Sequence, residues 1–166
     1  VANGYLEEYP VTTGAGQKRV KSFSIQGTMF FLVAESIVNS LEVRCKDADI
    51  VLINVSHAQV IDITGIVTLG KIKDSLAQQG TRTIFTGLGE PGYRKMLSLG
   101  IIDGSERAIN RGNKSEALLY AQALAHDDMD TANRIMREHD QLEDEHLIAE
   151  ITEEGFLLDE NSSRKW

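Results

Sequence analysis

The sequence predicts an α/β domain, a mainly parallel or mixed β-sheet flanked by about four helices, followed by an acidic, helix-containing C-terminal tail. Three observations carry this. Ile50-Val51-Leu52-Ile53-Asn54-Val55 is β-branched and apolar almost throughout, as a central strand covered on both faces requires. Val20-Lys21-Ser22-Phe23-Ser24-Ile25 alternates apolar and polar residues, the pattern of a half-buried strand. Between and after these runs the apolar period changes from two to between three and four, so strands alternate with helices and the connections favour a parallel sheet.

Taken in order, residues 1–17 contain Gly4, Pro10, Gly14 and Gly16 and read as an irregular lead-in. Gly27 ends the first strand, and Met29-Phe30-Phe31 resumes as a short apolar second one. Ala34, Ile37, Val38, Leu41 and Cys45 then form the stripe of a first helix. After the Ile50–Val55 strand comes a polar turn, Ser56-His57-Ala58-Gln59. A second helix follows, with Ile66, Leu69, Ile72, the stem of Lys73 and Leu76 on its buried face and Gly80 as its left-handed cap. Val51, Ile53 and Val55 are expected beside Ile66, Leu69 and Ile84. Thr81–Thr86 is a strand. Pro91 opens a third helix that Gly100 closes, and Arg107-Ala108-Ile109-Asn110 reads as a short strand. Asn113 and Glu116 form a capping box for a fourth helix through Leu124. The domain therefore spans 18–125, with residues 126–166 as an acidic extension.

Composition narrows the function classes. The formal charge is −8, and it is uneven: residues 1–126 hold 13 Lys/Arg against 12 Asp/Glu, residues 127–166 hold 4 against 13. A near-neutral body with an acidic tail is a poor match for nucleic acid or anionic lipid. A single cysteine, Cys45, excludes an internal disulfide and a cysteine-rich zinc site. No apolar run approaches the roughly 18–20 residues that cross a bilayer, and nothing at the start resembles a secretory signal. A start at Val1 suggests a piece of a longer polypeptide.

The loop after the buried strand reads Val60-Ile61-Asp62-Ile63-Thr64-Gly65-Ile66. It resembles the Asp-Ser/Thr-x-Gly-type loop of STAS domains, which occur in anti-sigma factor antagonists and SulP anion transporters. Gly27-Thr28-Met29-Phe30-Phe31 is similar to an element that precedes the first helix in the transporter branch, and Arg82–Thr86 followed by Tyr93–Ile101 has the family's look. The similarity covers roughly residues 18–125 and implies a STAS-like fold. It implies a non-enzymatic regulatory domain of a SulP-type transporter of sulfate, bicarbonate or a related anion, on the cytoplasmic face of the bacterial inner membrane. Its implied partners are the transmembrane domain of the same polypeptide, a second protomer, and an acidic soluble protein such as acyl carrier protein. Lys71, Lys73, Arg82, Arg94 and Lys95 are the basic residues that could receive the last. In anti-sigma factor antagonists the residue after the Asp is a phosphorylated Ser or Thr. Here it is Ile63, which has no hydroxyl, and this departure favours the transporter branch over a free-standing regulator. From the residues themselves, Asp62 or Thr64 can cap the second helix, and Gly65 allows a tight turn.

Other chemistry is weaker. Gly87-Leu88-Gly89-Glu90-Pro91-Gly92 matches G-x-G-x-x-G after a strand, so Gly87, Gly89 and Gly92 are the candidate nucleotide or phosphate contacts. Pro91 removes a donor, however, and Glu90 adds negative charge where a pyrophosphate would lie. His139, Glu143 and His146 in the tail have a metal-like spacing without the further ligands a site needs. Cys45 lies on an apolar stripe, and His57 lacks the nucleophile and orienting partner of a triad. No cofactor or metal is expected.

Overall fold

The computed structural model describes residues 5–11, 17–27, 30–58 and 62–138. Four strands, β1 (Leu6–Tyr9), β2 (Val20–Gln26), β3 (Ile50–His57) and β4 (Arg82–Thr86), form one sheet in the order β1-β2-β3-β4. The β2, β3 and β4 strands are parallel, and β1 lies antiparallel on the outer edge of β2. The sheet is thus mixed, as the sequence predicts. Its helices are α1 (Ala34–Arg44), α2 (Ile63–Gln78), α3 (Glu90–Ser98), α4 (Arg107–Arg111), α5 (Lys114–Ala125) and α6, covering 129–138.

Period-two alternation sorts the core into two layers. Phe23, Val51, Ile53, Val55 and Phe85 face Ile37 and Leu41 of α1, Ile66, Leu69, Ile72 and Leu76 of α2, and Tyr93 and Met96 of α3. Val20, Ile50, Leu52 and Ile84 face Ile109 of α4, Ala117, Tyr120 and Ala121 of α5, and Ala132 of α6. Ile84 is therefore not beside Val51 and Ile53. It pairs in register with Leu52, so its side chain points to the opposite face.

Four further expectations are corrected. The lead-in contains a strand, because Leu6–Tyr9 pairs residue for residue with Ile25–Ser22. Phe30–Val33 is a 3-10 helix rather than a strand, and it delivers Phe30 into the core. Arg107–Arg111 is helical, and the buried Asn110 side chain donates to the Phe85 carbonyl at 2.7 Å. That bond caps the β4 edge with a side chain instead of a fifth strand. Finally, Ser56 and His57 belong to β3 rather than to a turn.

Helix boundaries follow the expected chemistry. Gly80 and Gly100 take left-handed φ values of 82° and 72° after α2 and α3. Pro91 lies in the first turn of α3, and Asn113 caps α5 by accepting from the Glu116 N–H at 3.0 Å. The first helix of the acidic extension packs into the second core layer through buried Ala132 and half-buried Ile135 and Met136.

Candidate functional site

The buried β3 strand and the amphipathic α2 fix the signature loop between them. Asp62 is extended (φ −79°, ψ 142°) and caps α2. Its Oδ1 accepts from the Thr64 N–H and from the Thr64 hydroxyl, each at 3.0 Å. These two bonds, the backbone one foremost, hold the Asp62 carboxyl below the usual carboxylate range. Asp62 is thus the cap. The Thr64 hydroxyl donates to Asp62 instead of capping the helix itself, and the Thr64 carbonyl accepts from Thr68 at 2.9 Å.

Gly65 lies inside the first turn of α2, so its role is not the tight turn expected from sequence. A Cβ there would stand 3.2 Å from Cζ and 3.4 Å from Cε1 of buried Phe30. Gly65 lets the 3-10 helix press against α2, and this contact couples the Gly27–Phe31 element to the Asp62 loop. Ile66 is fully buried, whereas Ile63 is 49% exposed and Val67, one turn on, 43%. Leu32, on the 3-10 helix that Phe30 anchors, is 66% exposed. Leu32, Ile63 and Val67 are three of the seven exposed large hydrophobic residues among those described. Ile63 and Val67 thus form an exposed apolar pair one turn apart beside the loop, and Leu32 is exposed on the neighbouring element that Phe30 holds against Gly65.

The Gly-rich turn has a different character. Gly87 has φ 81°, and a Cβ there would lie 2.7 Å from the Asn54 Oδ1 and 2.8 Å from the Ser56 backbone nitrogen. It is a glycine because two strand ends touch. Gly89 caps α3 with extended backbone, and Gly92 is buried inside that helix. The three glycines therefore hold separate structural positions. Gly87 and Gly89 do line a cleft of about 510 Å³ at the carboxyl ends of β3 and β4, together with Asn54, Ser56, His57 and Lys114. Asn54, Ser56 and Lys114 come together only through the parallel sheet, so no sequence motif marks them. Glu90 lies at this end of the sheet, 2.8 Å from Arg94 and 3.8 Å from Arg111.

The remaining candidates do not assemble. Cys45 is fully buried at the end of α1, and burial pushes its thiol up to about 11. His57 is exposed at the far end of β3, a strand length away, roughly 20–25 Å. His139, Glu143 and His146 lie outside the described residues. Among the described residues no group of His, Cys, Asp and Glu could hold a metal ion, and no helix is long and apolar enough to cross a membrane. Of the basic residues, Lys73 donates to the Ile101 carbonyl, Arg82 pairs with Glu106 at 2.6 Å, and Arg94 pairs with Glu90. These three are engaged within the domain.

Comparison with known proteins agrees with the loop. No curated protein sequence matches the chain. Among solved structures, the STAS domain of a SulP transporter from Vibrio cholerae superposes with a TM-score of 0.53 at 22% identity, over 66% of this chain and 84% of that one. The overall structure of SLC26A9 matches with a TM-score of 0.48 at 16% identity, over 72% of this chain and 22% of that one. Residues 14–108 match the STAS domain family model, more than half of the sequence and all of the sheet from β2 onward. The chain belongs to the STAS domain family.

Proposed function

We propose that this STAS domain is the non-catalytic regulatory module of a SulP-type anion transporter, and that it acts by docking the Leu32–Ile63–Val67 face onto the membrane domain of the same polypeptide. The observation that carries this reading is the apolar display itself. Ile63 and Val67 stand one turn apart at the start of α2 and are about half exposed, beside the loop that characterises the family, and Leu32 is exposed on the 3-10 helix that packs against α2. Ile63 also occupies the position where a phosphorylated hydroxyl would switch a free-standing regulator, so an apolar contact replaces a charge switch there. The sulfate, bicarbonate or other anion would be selected in membrane helices, outside this domain.

Two outcomes test the assignment. The polypeptide that carries this chain should contain several membrane-spanning helices upstream of residue 1; a reading frame without them refutes the transporter reading. Thr64 is exposed but its hydroxyl is committed to Asp62, so serine/threonine kinases of the regulator type should leave it unmodified. Stoichiometric Thr64 phosphorylation that alters partner binding would favour the free-standing regulator.

A further inference from the structure

We infer that the outer edge of β4 at Thr83 is a docking groove for an extended, uncharged segment of a partner protein, which adds there as a short fifth strand with a Ser or Thr opposite the Thr83 hydroxyl. Among the described residues β4 is the last strand of the sheet. Arg82 turns its N–H inward to the Asp49 carbonyl at 2.9 Å, so the alternate residues Thr83 and Phe85 turn their main-chain groups outward. The carboxyl half of this edge is closed, because Asn110 donates to the Phe85 carbonyl and Leu88 donates to the Asn110 carbonyl. The half at Thr83 opens on a groove of about 420 Å³. Helix α2 contributes Lys73 and Ala77 to its walls, and the segment before α4 contributes Ile102, Ser105 and Glu106. Thr83 lines this groove and is more than nine-tenths buried, and its hydroxyl meets no hydrogen-bonding partner among the described residues. Native structures satisfy nearly all such groups, and an open strand edge beside one is a template for another chain.

The chemistry of the groove selects the occupant. Its charges cancel within the domain. Arg82 pairs with Glu106 at 2.6 Å, and Lys73 donates to the Ile101 carbonyl. The Ser105 hydroxyl foremost, then the Ser105 N–H and more weakly the Lys73 charge, hold the Asp103 carboxyl below the usual carboxylate range. Lys73 and Arg82 thus stand against Asp103 and Glu106 along the groove, which calls for an occupant without net charge. What remains to be met is main-chain chemistry: the outward N–H and C=O of Thr83, the N–H of Phe85 and the Thr83 hydroxyl. An extended peptide carries the matching alternation of donors and acceptors. Asn110 already occupies the Phe85 carbonyl, so the added strand is short, about three residues or roughly 10 Å. Its central side chain stands opposite Thr83, where a Ser or Thr can exchange a hydrogen bond with the orphaned hydroxyl. A second copy of this chain fits poorly, because its own β4 edge is recessed in the same groove and two recessed edges hold each other apart.

Nuclear magnetic resonance on the isotope-labelled full chain tests this, with the capped peptide acetyl-Thr-Val-Thr-Val-Thr-amide as probe. The Thr83 and Phe85 amide signals should shift as peptide is added to about 5 mM. Both amides should then exchange with solvent about fivefold more slowly, with Leu52 and Ile53 in the sheet centre unchanged as the control for folding. N-methylating the central threonine of the peptide removes its donor and should abolish the shifts. Thr83→Val should weaken binding about threefold or more without lowering the urea midpoint, because the hydroxyl it removes is unsatisfied. The inference is overturned by an absence of shifts at Thr83 and Phe85 at the highest peptide concentration, by equal binding of the N-methylated peptide, or by equal affinity of Thr83→Val and wild type. Slow exchange of both amides before any peptide is added overturns it as well. Protection independent of protein concentration would mean that the chain covers its own edge, and protection that grows with concentration would mean that a second copy does.

Discussion

Replacing Gly87 by Ala probes the point where β4 leaves the sheet. Two costs combine there. The left-handed φ of 81° costs a residue with a Cβ about 1–2 kcal/mol. The new Cβ would also meet Asn54 Oδ1 at 2.7 Å and the Ser56 side chain and backbone nitrogen at 2.8 Å. The Ser56 N–H is itself bonded to Asn54 Oδ1, so the new Cβ crowds both partners of that bond and overpacking adds about 1–3 kcal/mol. The expected total is about 2–5 kcal/mol, set against a domain stability of about 5–15 kcal/mol. Gly80→Ala is the matched control. Its φ is 82°, but nothing lies within 4 Å of its added Cβ, so only the strain of about 1–2 kcal/mol remains. Urea unfolding is followed by far-ultraviolet circular dichroism. The midpoint should fall substantially further for Gly87→Ala than for Gly80→Ala at an unchanged slope. Equal losses would refute the close approach of β4 to Asn54 and Ser56, and with it the structural reading of the Gly-rich turn.

Tyr120 donates to Glu106 Oε2 at 2.6 Å, the same oxygen that receives Arg82. Tyr120→Phe should therefore lower stability by about 1–2 kcal/mol in the same urea assay, and Glu106→Ala should cost more because it frees both partners. Cys45 should resist a disulfide reagent at neutral pH in the native state and react at once in denaturant, since burial disfavours its thiolate; fast native labelling would contradict its packing. The Asp62 carboxyl is lower in the folded than in the unfolded chain. Its stabilising contribution is therefore present above the unfolded value near 3.9 and is lost as pH falls through the folded value. A carbon-detected titration should place its midpoint below that reference, and the stability gap between wild type and Asp62→Ala should shrink in acid.

The sheet's centre was legible because burial on both faces leaves an unbroken apolar run, which Ile50–Val55 has. Cap residues were legible for a similar reason: Asn113, Pro91 and Gly80 answer local backbone needs that four or five residues can state. What escaped depends on distant partners. Leu6-Glu7-Glu8-Tyr9 is too short and acidic to read as a strand, and only pairing with Ser22–Ile25 makes it one. Arg107–Arg111 has too few residues for a helical period, and its conformation is fixed by Asn110 reaching Phe85 and by Glu106 meeting Tyr120 and Arg82. Ile84 was assigned to the wrong face because alternation within β4 does not say which phase meets β3. The signature loop is legible as a helix cap by Asp62 or Thr64, and the structure gives the cap to Asp62, with the Thr64 hydroxyl donating to it. The meaning of Gly65 was hidden, since its constraint is Phe30, more than thirty residues away. For the same reason the face proposed to dock, Ile63 and Val67 with Leu32, depends on the 3-10 helix packing against α2.

That face is the centre of the functional account, and anion uptake by the intact polypeptide tests it most directly. Ile63→Asp and Val67→Asp together alter two half-exposed side chains, so the domain should keep its fold and lose no more than about 1 kcal/mol of stability in urea. If the face docks on a membrane domain, placing two charges in that contact should cost well over 1.4 kcal/mol of binding and reduce uptake or assembly by about tenfold or more. Wild-type uptake and assembly by the double variant would contradict the account.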